Sequence, residues 1–155
     1  MRILSSAGHQ LDAPRGSLYK ALTMAKGNLV NFVVITPERQ VVADSTDSLT
    51  IPAHDGEIGI LAQRAALMCE LGVGQLRYRK NGQLQRYYIE GGFAQVSDNQ
   101  VSVLTDNACS ADEITPQRIA DAEKKLAGLP AGRENAAARA RTIQSINAMK
   151  RIAGR

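Results

Sequence analysis

Between residues 29 and 108 tight-turn dipeptides separate short β-branched runs; beyond residue 108 apolar residues recur every three or four positions. That change of period constrains the fold most, because side chains repeat every two residues on a strand and every 3.6 on a helix. Leu29–Thr36 is rich in Val, Phe and Ile and ends at Pro37, and Val41–Ile51 is β-prone and stops at Pro52. Asp55-Gly56 and Asn81-Gly82 read as two-residue hairpin turns, whose central residues need positive φ. Around the second turn, Leu76, Tyr78 and Leu84 are expected on one apolar face and Arg77, Arg79, Gln83 and Gln85 on a wet one. A further turn at Ser97-Asp98-Asn99 separates Phe93–Val96 from Val101–Leu104. Short strands at this spacing predict a small sandwich or barrel.

The second part reads as two helices. Thr115 is a candidate N-cap with Pro116 at the first helical position, where a missing N–H costs nothing. Ile119, Ala122, Leu126 and Leu129 follow at helical spacing, Gly128 suits the C-terminal end, and Pro130-Ala131-Gly132 breaks the pattern. A second helix is expected from about Arg133 to Ile152, with Ala136, Ala140, Ile143, Ile146, Met149 and Ile152 as its apolar stripe. Two such helices bury little alone and need the β body, a partner or each other.

Three parts are therefore expected: an N-terminal extension over 1–23, a β domain over 24–108 and a helical hairpin over 109–155. The first 23 residues lack sustained periodicity and carry two Arg, one Lys and one acid. They read as an over-long start ahead of Met24, with a transit peptide as the alternative.

Charge is uneven. Lys and Arg total 19 against 15 Asp and Glu, giving +4; from Arg133 onward six basic residues face Glu134 alone, so this tail carries +5 and the body −1. A basic tail asks for an acidic partner, whether phosphate, lipid or carboxylate. Aromatic residues are 4% of the chain with no Trp, which disfavours a stacking platform for nucleic-acid bases.

Catalysis finds little material. His9 lies in the extension and His54 in a turn, no Ser or Cys sits in an elbow motif, and no His/Cys/Asp cluster has metal-ligand spacing. Gly72-Val73-Gly74 lacks the following helix that a phosphate cradle needs, and Glu90-Gly91-Gly92-Phe93 reads as a bulge or close backbone approach. Cys69 and Cys109 are expected as reduced, mostly buried thiols.

Three blocks, Ile51-Pro52-Ala53-His54-Asp55-Gly56-Glu57-Ile58-Gly59-Ile60-Leu61, Ile89–Val96 and Val101–Ala108, resemble in order and spacing the epsilon subunit of F-type ATP synthases. The resemblance covers about residues 27–155. It implies a flattened antiparallel β-sandwich of about ten strands followed by a two-helix C-terminal hairpin. It implies a non-catalytic, cofactor-free rotor subunit that links the gamma subunit to the c ring and so couples proton flow to ATP synthesis. The location implied is the cytoplasmic face of a bacterial plasma membrane, with membrane association through the complex. In many bacterial members an extended tail blocks ATP hydrolysis.

The same resemblance supplies candidate contacts. Glu57 matches the carboxylate that faces the c ring, and Asp55 with Gly56 shapes the turn presenting it. The chain then departs from the family's usual Gly/Asn-His-Ala-Pro-Leu: it reads Gln63-Arg64-Ala65-Ala66-Leu67, so Arg64 stands where His is common. Arg139, Arg141, Lys150 and Arg151 are candidates for contact with an acidic loop of the catalytic beta (and alpha) subunits. Some members bind ATP through Ile/Leu-Asp-x-x-Arg-Ala at the start of the first tail helix; here the stretch is Ile114-Thr115-Pro116-Gln117-Arg118-Ile119. Arg118 is retained as a candidate ATP contact, while Thr115 preserves a helix cap better than a ligand site. The rival reading is a free-standing β-sandwich module with a basic nucleic-acid-binding tail.

Overall fold

The computed structural model describes residues 29–154, so the expectations for residues 1–23 lie outside the described residues. Ten strands come first: β1 (Val30–Ile35), β2 (Gln40–Thr46), β3 (Ser48–Ala53), β4 (Gly56–Leu61), β5 (Leu67–Glu70), β6 (Val73–Lys80), β7 (Gln83–Glu90), β8 (Phe93–Ser97), β9 (Gln100–Leu104) and β10 (Asn107–Ser110). A 3₁₀ turn (Ala111–Glu113) leads to α1 (Pro116–Gly128), and a second (Arg133–Asn135) to α2 (Ala136–Ala153). The strands form two five-stranded sheets, β2-β1-β9-β8-β5 and β10-β7-β6-β3-β4. Within them β1 and β9 run parallel, while the other registered ladders are antiparallel. A β-sandwich followed by a helical hairpin is the architecture that the change of period and the resemblance imply.

Alternation builds the core. Val30, Val34, Leu49, Ile51, Ile60, Leu76, Ile89, Ala94 and Val103 are fully buried between the sheets. Phe32 meets Tyr78 edge-on at 4.7 Å, and Tyr78 stacks on Tyr87 at 6.1 Å.

Turn chemistry decides where the sequence reading succeeds. Asn81 (φ 51°) and Gly82 (φ 77°) both adopt the left-handed conformation and join Lys80 to Gln83, as expected. Asp98 (φ 50°) and Asn99 (φ 61°) do the same between Ser97 and Gln100. The Asp55-Gly56 expectation is off by one residue. His54 and Asp55 form the loop, Ala53 pairs with Gly56, and only the glycine has positive φ.

The assignment of faces around Asn81-Gly82 also needs correcting. A two-residue loop pairs odd with even positions, so Arg79 pairs with Leu84 and Tyr78 with Gln85. Directly paired residues share a face. Leu84 therefore lies outside, 44% exposed, beside Arg79, and Gln85 shares the inner face with Tyr78.

The Val41–Ile51 run is two strands in different sheets, broken at Asp47. The break carries no Gly or Pro. The Thr46 hydroxyl makes the corner, accepting the Ser48 N–H at 3.3 Å and lying 3.0 Å from the Arg79 carbonyl. Pro52 sits inside β3, two residues past the last registered β3–β6 pair, where the ladder no longer asks for its donor.

The hairpin packs on the outer face of the second sheet. Tyr88 and Cys109 from the sheet meet Ile114, Ala148, Met149 and Ile152 in a second apolar cluster. Thr115 caps α1 by accepting the Arg118 N–H, with Pro116 in its first turn. The stripe predicted for the second helix is only half right. Ile146, Met149 and Ile152 are buried, joined by Ser145 and Ala148, whereas Ala136, Ala140 and Ile143 (43% exposed) are not.

Candidate docking surfaces

Glu57 projects from β4 onto the outer face of the second sheet, with half its side chain exposed. Its Oε2 accepts a 2.7 Å bond from Arg77 on β6. Arg64 follows β4 in a bend where Gln63 has φ 64°, and its Nη1 donates to the Gly59 carbonyl at 3.1 Å. β4 is the edge strand of its sheet, so this bond holds Arg64 along that edge, two positions from Glu57. Asp55 is exposed in the adjoining turn beside exposed His54. Arg77 is the member that sequence reasoning placed merely on a wet face; its position across the sheet from Glu57 needed the register.

The tail cations do not form one patch. Arg139 reaches the end of α1, where Nη1 donates to the carbonyls of Leu129 (2.7 Å) and Leu126 (3.3 Å). The Leu126 carbonyl also accepts the Leu129 N–H at 3.2 Å, the Leu129 carbonyl lies just past the last turn, and the end of the helix dipole favours a cation there. Lys150 pairs with Glu123 across the hairpin at 2.7 Å, in an exposed bridge of small energetic worth. Arg141 and Arg151 are exposed; Arg151 Nε lies 3.4 Å from the Asn147 carbonyl. Arg139→Ala should therefore fray the last turn of α1, costing about 1 kcal/mol of local stability. Faster amide exchange at Lys125–Gly128, with unchanged exchange in the β-sheets, is the expected readout.

Arg118 faces a cavity of about 240 Å³ between the helices and the second sheet, lined also by Glu90, Asp121, Lys125 and Ser145. Its Nη2 donates to Asn107 Oδ1 at 3.2 Å, and the Thr115 hydroxyl is engaged as the helix cap. Two acids and two bases line the space, so it offers no net positive charge to phosphates. Burial raises both the Tyr88 hydroxyl and the Cys109 thiol above their ordinary pKa values.

The first sheet leaves a different surface open. Phe93 on β8 pairs with Leu104 on β9, and Leu104 with Ile35 on β1, so all three share the outer face. Phe93 is 58% exposed, Leu104 55%, and Met68 on neighbouring β5 69%. Large apolar side chains in contiguous exposure mark an interaction site. Sequence reasoning left this patch unassigned, since alternation alone does not say which face of a strand is covered. Among the described residues, no group of three or more His, Cys, Asp or Glu could hold a metal ion, and no helix is long and apolar enough to cross a membrane.

Comparison with known proteins gives the chain its relatives. Residues 29–111 match the family described as ATP synthase, Delta/Epsilon chain, beta-sandwich domain. The ATP synthase epsilon chain of Nitratidesulfovibrio vulgaris (strain DP4) is 33% identical over 125 residues, covering 78% of this chain and 92% of the relative. That of Symbiobacterium thermophilum is 37% identical over 97 residues, covering 62% and 70%. Among solved structures, the fold is shared with a chain of the Euglena gracilis mitochondrial ATP synthase OSCP/F1/c-ring assembly, at TM-score 0.66, 20% identity and 79% coverage of both chains. It is shared too with a chain of the Tetrahymena thermophila central stalk/c-ring assembly, at TM-score 0.64, 14% identity and coverage of 80% and 96%. With the sandwich matched throughout its strands and a relative aligned into the helical tail, this chain belongs to the delta/epsilon family of ATP synthase subunits.

Proposed function

We propose that the chain is a non-catalytic rotor subunit of an F-type ATP synthase, joining the gamma subunit to the c ring. The observation that carries the reading is the family's sandwich bearing an uncovered apolar face at Met68, Phe93 and Leu104. Grip on a rotating shaft needs a broad apolar contact with little charge to desolvate. We assign that face to gamma. The membrane is reached indirectly, at the cytoplasmic face in a bacterium, through the complex.

The ring contact is assigned to the Asp55–Glu57 turn and Arg64. Glu57→Arg combined with Arg64→Glu should weaken retention on isolated c ring roughly tenfold or more. Arg77→Gln separates the internal pair from the external contact: it frees Glu57 and should leave retention within about threefold. Unchanged retention of the charge-reversed protein would remove both residues from the ring contact.

For the tail, Arg141 and Arg151 are exposed for an acidic loop of the catalytic beta subunits, whereas Arg139 and Lys150 are engaged within the folded hairpin. A brake on hydrolysis through all four would require the hairpin to open first. Adding the full chain to a catalytic head stripped of this subunit, and following ATP hydrolysis against salt, tests the brake. Inhibition that fades with ionic strength is the expected result.

A further inference from the structure

Glu90 occupies a singular place between the sandwich and the hairpin. It ends β7, where its carbonyl accepts the Thr105 hydroxyl at 3.1 Å and the next N–H, of Gly91, donates to Gly72 at 3.1 Å. The backbone is thus fixed, and the carboxylate stands on the outer face beneath the helices. Its Oε2 accepts from the Tyr88 hydroxyl (3.1 Å) and the Asn107 amide (3.3 Å), and its Oε1 from the Ser145 hydroxyl on α2 (3.1 Å). Asn107 in turn accepts from Arg118 on α1. Both helices are therefore tied to one carboxylate, α2 directly and α1 through one intermediate.

We infer that Glu90 is a built-in latch that holds the helical hairpin on the sandwich without a ligand. A latch must also release, and each partner here has somewhere to go. The Ser145 oxygen lies 3.0 Å from the Arg141 carbonyl one turn back, so its single proton can swap from Glu90 to the helix backbone. The carboxylate, once uncovered, exchanges protein donors for water. Both exchanges keep every polar group satisfied, so the polar tie adds modestly to the apolar cluster and biases the position of the hairpin. The inference concerns the chain alone and stands or falls separately from the assignment of partners.

Cys109 provides the readout. It is fully buried beneath α2, in contact with the cluster of Tyr88, Met149 and Ile152, and Cys69 lies in the other sheet as an internal reference. Alkylation of the full chain by iodoacetamide, followed at each cysteine by peptide mass spectrometry, reports hairpin release at Cys109, with partly exposed Cys69 as the reference for changes in the sandwich. Glu90→Gln should speed reaction at Cys109 roughly five- to tenfold, and Ser145→Ala, which leaves the sandwich untouched, about threefold. Cys69 should react at its original rate in both. An unchanged Cys109 rate in either variant, or an equal rise at both cysteines, overturns the latch.

Discussion

Gly92→Ala is expected to cost about 4 kcal/mol or more, enough to leave little folded protein at 37 °C. Gly92 has φ 98°, and a Cβ there would lie 1.9 Å from the Leu104 carbonyl oxygen and 2.7 Å from the Thr105 Cα. Every obstructing atom is backbone, so no side chain can turn aside. The neighbouring Gly91 supplies the control. Its φ of 67° is also left-handed, but a Cβ would meet only the Asp106 carboxylate oxygen at 3.1 Å, the end of a side chain that can move. Gly91→Ala should cost about 1 kcal/mol, the usual penalty for placing an L-residue at positive φ. Urea unfolding midpoints compare the two. A Gly92→Ala protein within about 1 kcal/mol of the parent would mean that β8 does not approach β9 as described.

The second large effect is on association. Phe93→Glu combined with Leu104→Glu should reduce affinity for gamma at least a hundredfold, which corresponds to about 3 kcal/mol. These side chains are 58% and 55% exposed and contribute little to the folded core, so thermal stability should fall only slightly. Two carboxylates at the centre of an apolar contact would each be desolvated without a partner. Loss of binding with an intact unfolding transition is the expected pair of results. Binding within threefold of the parent would move the gamma contact elsewhere.

Much of this molecule was legible from local chemistry. Asn81-Gly82 specified a hairpin because its two residues tolerate positive φ, and Thr115-Pro116 specified a helix start because a hydroxyl and a fixed φ meet its needs. What escaped depends on partners remote in sequence. The corner at Asp47 is made by the Thr46 hydroxyl, a residue equally at home in a strand. Leu84 faces outward because the two-residue turn inverts the alternation between its strands, which a period-two pattern alone does not show. The stripe of α2 is buried only over its C-terminal half, from Ser145 to Ile152, a difference along the helix that a helical period cannot encode.

The candidate contacts divide in the same way. Glu57 on β4 and Arg64 in the bend after it are close in sequence, but Arg77 joins Glu57 from β6, 20 residues further on. Glu90 looked like the approach to a glycine bulge; its three acceptor bonds come from Tyr88, Asn107 and Ser145 on three separate elements. Arg139 read as a surface cation because the carbonyls it caps belong to the preceding helix.

The proposed rotor role rests on gamma as the partner that holds this chain. The direct measurement is calorimetric titration of the full chain into a cognate catalytic head that contains gamma and lacks this subunit. Saturable binding at one chain per head, abolished by the Phe93 and Leu104 double substitution and little altered by salt, is the result expected of that role. No binding to the head, with steeply salt-dependent binding to a nucleic acid instead, would contradict it.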